Sequence, residues 1–513
     1  MTSATLISRK PYTILILTLC VLMVVFQSCK KKRRWNMNDI LFKKTHNKVF
    51  KKLDADIYDT VFNKVLDSIG PKLNNYQFIK AYYTAHNDEP GLLEKHLSND
   101  DLKVMVDYFQ KAGEHGFNPG IFQADTLDAL LHNFYDGKAI KNTNEAYHDL
   151  ATLELLSANS LINYSNDVQF GIVNPKKIYP RYFMATMEAD STSMLHALDT
   201  SNLKTYLDSI QPKDPQYLAL QKALVNNDVV PGLSVQESKR LILVNMERLR
   251  WKNKPQSEKY VIVNIPDFRL DVINSGHSVL NMKVCVGQGR NMDYSKTLMH
   301  FDDTDRVDKP NAHETPILNS NIYMAQVNPV WNIPQSIASK EIVKEEIDDK
   351  FYLANKGIDV FKDGKKIDDP EDIDWSAADV SDYDFKQEPG DDNSLGKIKF
   401  IFKNKSSVYL HDTPAKSAFY EAMRAVSHGC VRLQQPLQLA HTLFGDGDKY
   451  DTISKDMAAN NPDPTDLYLP KKVPVYITYV TCWADSTGAL QHRGDVYGQD
   501  IVLFSNLEKS VAN

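Results

Sequence analysis

The sequence predicts an α+β protein: a mainly helical first half, then a mostly β second half carrying one long insertion. Three observations predict it. Apolar residues recur at helical spacing over 36–250. After Trp251 the runs become short, β-branched and alternating. Between about 333 and 396 the strand pattern stops and an acidic stretch takes its place.

Arg9 and Lys10 precede the uncharged run YTILILTLCVLMVVF at 12–26. A basic start and a short apolar core suit an export signal better than a full membrane span, which needs about 20 residues. Ser28-Cys29 then resembles a bacterial lipoprotein processing site, which would make Cys29 the lipidated first residue. An uncleaved anchor and simple cleavage are the alternatives. Lys30 to Arg34 are all basic, so by the positive-inside rule an uncleaved anchor tends to keep the body in the cytoplasm. The expected divisions are 1–29 signal, 30–250 helical domain, and 251–513 β domain with an insertion at about 333–396.

In the helical half, Leu150, Leu153, Leu161 and Tyr164 share a helix face. Ser234 and Glu237 form a capping-box pattern ahead of SKRLILVNMERLRW, in which Ile242, Met246 and Leu249 make an apolar stripe. Ordinary packing explains all of these. Strands are expected at 260–265, 268–273, 282–286, 322–327, 398–402, 407–410 and 473–480. Helices are expected at 415–425 and from Pro436, where proline suits a first turn. From Asp368 to Asp392 there are eleven Asp or Glu residues and one Lys, Lys386. Such an insertion reads as a lid or as a solvated loop; as a lid, its charge would attract cationic amines.

Composition bounds the function. Of 513 residues, 25% are charged and 42% hydrophobic, which excludes wholesale disorder. A formal net charge of −6 lacks the basic excess of a nucleic-acid binder. Five cysteines are too few for a disulfide scaffold. Cys285 and Cys482 fall in expected strands and read as buried thiols, although a bridge between them is open.

The chemistry concentrates in 407–433, SVYLHDTPAKSAFYEAMRAVSHGCVRL. Gly429 beside Cys430 permits a tight turn that can aim backbone N–H groups at one point, as an oxyanion hole requires. Cys430 is then a candidate nucleophile, with a histidine to take its proton. His428 is too close in sequence to turn easily onto the thiol. His411, nineteen residues upstream, is the better base. A structural thiol and a zinc ligand remain open as readings of Cys430, although H-x16-H-x-C fits no common zinc spacing.

The segment from His411 to S-H-G-C-V-R at 427–432 resembles the active-site signature of L,D-transpeptidases with a YkuD-type catalytic domain, YcbB-like branch. YVIVNIPDF at 260–268, Thr315-Pro316, NPVWNIP at 328–334, Pro389-Gly390, Leu395-Gly396 and DVYG at 495–498 resemble further motifs of that family. Gly116-Phe117-Asn118-Pro119 and Leu161-Ile162-Asn163-Tyr164 more loosely resemble its helical scaffold. The resemblance implies a cysteine acyltransferase that cross-links peptidoglycan stem peptides 3→3, from a donor tetrapeptide to an acceptor amine. It implies Cys430 as nucleophile, His411 as base, Tyr409 near the oxyanion hole, and Gly429 and Cys430 as its N–H donors. Ser427, His428 and Arg432 would shape the pocket. Trp331, with Asn332 beside it, would face substrate, and 333–396 would be a capping lid. No metal or cofactor is implied. A place in the cell envelope or periplasm and acylation by carbapenem β-lactams are. The chain departs from the branch in one respect: 217–234 is too short to hold a peptidoglycan-binding module. A cysteine L,D-carboxypeptidase or endopeptidase, and a non-catalytic wall-associated lipoprotein, are the competing expectations.

Overall fold

The computed structural model describes residues 35–253, 255–289, 310, 312–459 and 463–511. Cys29 and the apolar run at 12–26 lie outside them. Among the described residues no helix is long and apolar enough to cross a membrane. The protein is α+β, helical before about 250 and mostly β after it. It divides into two compact units. One comprises the chain up to Lys111 with Pro119–Ser165 and Asp190–Ile210; the other holds Ala112–Asn118, Asn166–Ala189 and the chain from Gln211.

The first unit is helical and is built around the helix Thr143–Phe170. Leu150, Leu153, Leu161 and Tyr164 are buried, but so are Ala151, Leu155, Ala158 and Ile162. The helix is therefore covered on all sides, as an axial core helix is, rather than on the one face its spacing suggests. Its Glu154 is also buried. It accepts hydrogen bonds from the N–H groups of Leu92 and Leu93, both at 2.9 Å, and from the Tyr83 hydroxyl at 2.6 Å. A carboxylate there satisfies the open amides at the start of Gly91–His96. Burial nevertheless pushes its pKa up to about 7.

The second unit begins before residue 250. The capping box at Ser234 and Glu237 is made, with N–H to side-chain bonds of 3.2 and 2.8 Å, and starts the helix Val235–Arg250. Leu241, Ile242, Val244 and Met246 pack in one core with Val261, Val263 and Val475 of the sheet. Arg250 draws 112–118 into the same unit, donating to the His115 carbonyl and to the Tyr217 hydroxyl at 2.8 Å. Gly116, at φ +81°, lies where a side chain would strike Leu243. Cys285 and Cys482 are buried free thiols, so no bridge joins them.

Ten strands make the main sheet among the described residues. The path runs 317–327, 398–402, 410–411, 431–433, 277–287, 269–274, 259–264 and 465–478; strand 465–478 also pairs with 317–327, so the path closes on itself. Closure removes open edges and leaves one residue in two facing the interior.

Two expected elements differ. Strand 407–410 is only Leu410–His411. Ser407 takes φ +51°, and the Asn404 side chain binds the N–H groups of Ser406 and Val408, which makes a turn of that stretch. Helix 415–425 is a short 3-10 turn, Lys416–Tyr420. Arg424 takes the Glu421 carbonyl at 2.6 Å, and the chain then extends into the strand Ala425–Ser427.

The insertion is a folded layer, not a loop. Trp331–Ile333, Tyr383–Gln387, Ile358–Lys362 and Lys365–Lys366 form a separate four-stranded sheet in that order. Ile333, Ile337, Ile342, Val360, Trp375 and Phe385 form its own core. Its entry and exit strands pair, Trp331 opposite Gln387. Asn393 is buried at its base and donates to the carbonyls of Pro329, Gln387 and Glu388, while its own oxygen takes the Leu395 N–H at 2.8 Å.

Candidate active site

The parallel pairing of Leu410–His411 with Val431–Leu433 builds the site. His411 lies opposite Arg432, and Leu410 opposite Val431. Side chains alternate along a strand, so Tyr409 and His411 share a face with Cys430 and Arg432. A diagonal cross-strand neighbour lies within reach of a long side chain. The Tyr409 and His411 rings meet edge to face with centroids 5.8 Å apart. All four side chains line one cavity of about 580 Å³.

The loop before 431–433 is held by short bonds. Ser427 Oγ donates to the Cys430 carbonyl at 2.6 Å and accepts the Gly429 N–H at 3.1 Å. Thr315 Oγ1 donates to the Gly429 carbonyl at 2.8 Å and accepts the Gly287 N–H at 2.8 Å. Gly429 sits at φ +116°, a region that disfavours any other residue, while the space around it would admit a methyl group. One sequence expectation changes here. The Gly429 N–H is engaged by Ser427, so of the two expected oxyanion donors the Cys430 N–H is the one outside that bond.

His411 is buried, and its Nδ1 bonds the Asp412 carbonyl. Burial, and then the Arg432 charge, lower its pKa to about 4. Cys430 reaches the cavity, with Sγ 4.0 Å from the Ser407 carbonyl. Burial pushes its thiol up to about 11, against smaller downward pulls from Tyr409, Arg432 and Lys399. The resting pair at neutral pH is therefore a thiol and a neutral imidazole. Burial also raises the Tyr409 phenol, which the Trp331 side chain hydrogen-bonds. Arg432 Nε is buried without a hydrogen-bond partner.

Trp331 lines the cavity. Asn332, the next residue on the strand, is exposed and is not among the lining residues, because alternation turns it to the other side. None of the eleven acidic residues from Asp368 to Asp392 lines the cavity either, so the acidic stretch is a solvated face. The charged lining is Arg181, Lys340, Lys405 and Arg432 with Glu341. A cationic pocket favours anionic peptide over cationic amine.

Several contributors escaped the sequence reading. Asp412 receives the Lys397 N–H at 2.9 Å and pairs with Lys416, which fastens the end of the insertion beside His411. Gly396, at φ +61°, makes room for that carboxylate. Arg181 and His313 come from distant segments with no local motif. The zinc alternative considered for His411, His428 and Cys430 is not the grouping that forms. His428 instead bonds Glu341 of the insertion, Nε2 to Oε1 2.7 Å, and its ring meets His313.

Two family models match the chain. Residues 77–224 match the Scaffold domain, and residues 258–450 match the L,D-transpeptidase catalytic domain. A Haemophilus influenzae protein named "Putative L,D-transpeptidase" is 26% identical over 307 residues, which cover 60% of this chain and 57% of that protein. The chain thus carries an L,D-transpeptidase catalytic domain preceded by a scaffold domain.

Proposed function

We propose that the protein is a peptidoglycan L,D-transpeptidase of the YcbB-like branch, without a peptidoglycan-binding module, that forms 3→3 cross-links through a thioester on Cys430. The catalytic part is 251–513, with 333–396 as its lid, and 30–250 is the scaffold. The observation that carries this reading is the single cavity onto which Cys430, His411 and Tyr409 all open, within the stretch that matches the catalytic-domain model.

In this mechanism the carbonyl of the third residue of a donor tetrapeptide sits against Sγ. With Nδ1–H donated to the Asp412 carbonyl, His411 Nε2 holds the lone pair and takes the thiol proton as Sγ attacks. The Cys430 N–H and the Tyr409 hydroxyl stabilise the oxyanion. Imidazolium then protonates the departing D-alanine amine. The acceptor side-chain amine attacks the thioester, His411 removes its proton, and the thiol returns. Ser427 and Gly429 shape the loop, Trp331 walls the pocket, and Arg432 offers charge to a peptide carboxylate. Water in place of the amine gives an L,D-carboxypeptidase, so the lid sets the outcome by excluding it.

Intact-protein mass tests the nucleophile. A carbapenem should add its own mass to wild type and nothing to Cys430→Ala; equal addition to both rejects the assignment. The protein acts in the cell envelope, and the run at 12–26 with Ser28-Cys29 fits a lipid anchor on Cys29. Fatty-acid labelling should be lost in Cys29→Ala, and label retained there removes the anchor from the proposal.

A further inference from the structure

Three segments far apart in sequence bring a histidine, a carboxylate and a second histidine together at the rim of the cavity. His313 lies just before the strand Ile317–Val327, Glu341 in the π-turn Ala338–Ile342 of the lid, and His428 in the loop before Cys430. Their ligand atoms all fall within 4.8 Å of one another. His428 Nε2 is 2.7 Å from Glu341 Oε1, and the two imidazoles meet edge to face with centroids 4.6 Å apart. We propose that His313, Glu341 and His428 form a site for a divalent ion of the zinc class, and that the ion fastens the lid to the loop that carries Cys430.

The donor set fits that ion class. Two imidazole nitrogens and one carboxylate oxygen suit zinc and its neighbours, whereas magnesium and calcium prefer oxygen alone. Zinc–ligand bonds of about 2.0–2.1 Å put tetrahedral ligand atoms roughly 3.4 Å apart, so the group need only contract slightly by side-chain rotation. Three protein ligands leave a fourth position for water or a peptide carboxylate.

The backbone supports the two histidines unequally with Glu341. A side chain at Gly287 would lie 1.8 Å from the His313 carbonyl, and one at Gly429 would lie 3.5 Å from the same oxygen. Thr315 ties that segment to Gly287 and Gly429. His313 and His428 thus stand on one braced platform of the sheet. Glu341 comes from the inserted layer, and π-turns of this kind concentrate at functional sites because they re-aim side chains. Metal binding therefore acts on the lid. The proposal goes beyond the acyl-transfer reading and does not use the thiol, so it stands or falls separately from it.

The test uses the full chain carrying Cys430→Ala, which removes the thiol as a competing ligand. Zinc is titrated against a chromophoric chelator, and hydrogen exchange is followed with and without zinc. The parent should bind one zinc per chain, and Glu341→Gln and His313→Gln should each weaken binding by about tenfold or more, since a metal ligand is lost. Both variants should keep the parent's melting temperature without zinc, because Glu341 and His313 are each only half-buried and lie outside the apolar cores. Zinc should slow exchange over 335–348 in the parent and not in Glu341→Gln; magnesium should do neither. The proposal is overturned if either variant binds zinc as tightly as the parent, or if zinc leaves exchange over 335–348 unchanged.

Discussion

Cys430 and His411 are tuned away from an ion pair. With the thiol near 11 and the imidazole near 4, both are neutral at pH 7. The proton must then move as substrate arrives, when the oxyanion donors and the incoming carbonyl change the balance. This predicts slow alkylation at neutral pH. Iodoacetamide labelling of Cys430 should rise about tenfold per pH unit from 7 to 10, following the thiolate fraction. A plateau reached below pH 8 would instead mean a standing thiolate–imidazolium pair. Cys430, Gly429 and His428 were legible because a short motif holds them in adjacent positions, and His411 because its spacing of nineteen residues lets the chain return the thiol to it. The engagement of the Gly429 N–H by Ser427 was not, since it depends on the loop's φ of +116° and on Thr315 from a segment more than a hundred residues upstream.

The insertion is where sequence and structure part most. An acidic run with Pro and Gly looks like solvated loop, and the charges are in fact exposed. Its apolar residues are spaced too irregularly to announce a four-stranded sheet with a core of Ile333, Val360, Trp375 and Phe385. Its base is stitched by Asn393, a lone amide in a polar stretch. Asn393→Ala should leave three carbonyls and the Leu395 N–H without that partner, costing locally about 3 kcal/mol. Hydrogen exchange over 331–396 should then speed up by roughly 100-fold while the main sheet is unchanged. Uniform exchange in variant and wild type would show that the lid does not depend on this residue. The shortened strand at 410–411 and the lost helix at 415–425 have one cause: Asn404 and Arg424 capture backbone groups that a periodicity argument assigns to regular structure.

At the scale of the molecule, the α+β class and the positions of most strands followed from residue patterns, because alternation and helical spacing are local properties. The closing of the sheet by 465–478 on 317–327, and the packing of the helix 235–250 with the β core, are long-range pairings that no window of sequence contains. The same holds for the compact division, in which Arg250 gathers 112–118 beside residues far along the chain. What the closed sheet accomplishes is specific: its short parallel pair sets His411 and Cys430 on one face, beside a cavity that residues of the insertion also line. The most direct test is mass analysis of products from purified tetrapeptide stems incubated with the full chain. The account predicts a cross-linked dimer with loss of one D-alanine, absent with Cys430→Ala. Free tripeptide with no dimer, or dimer formed by Cys430→Ala, would contradict it.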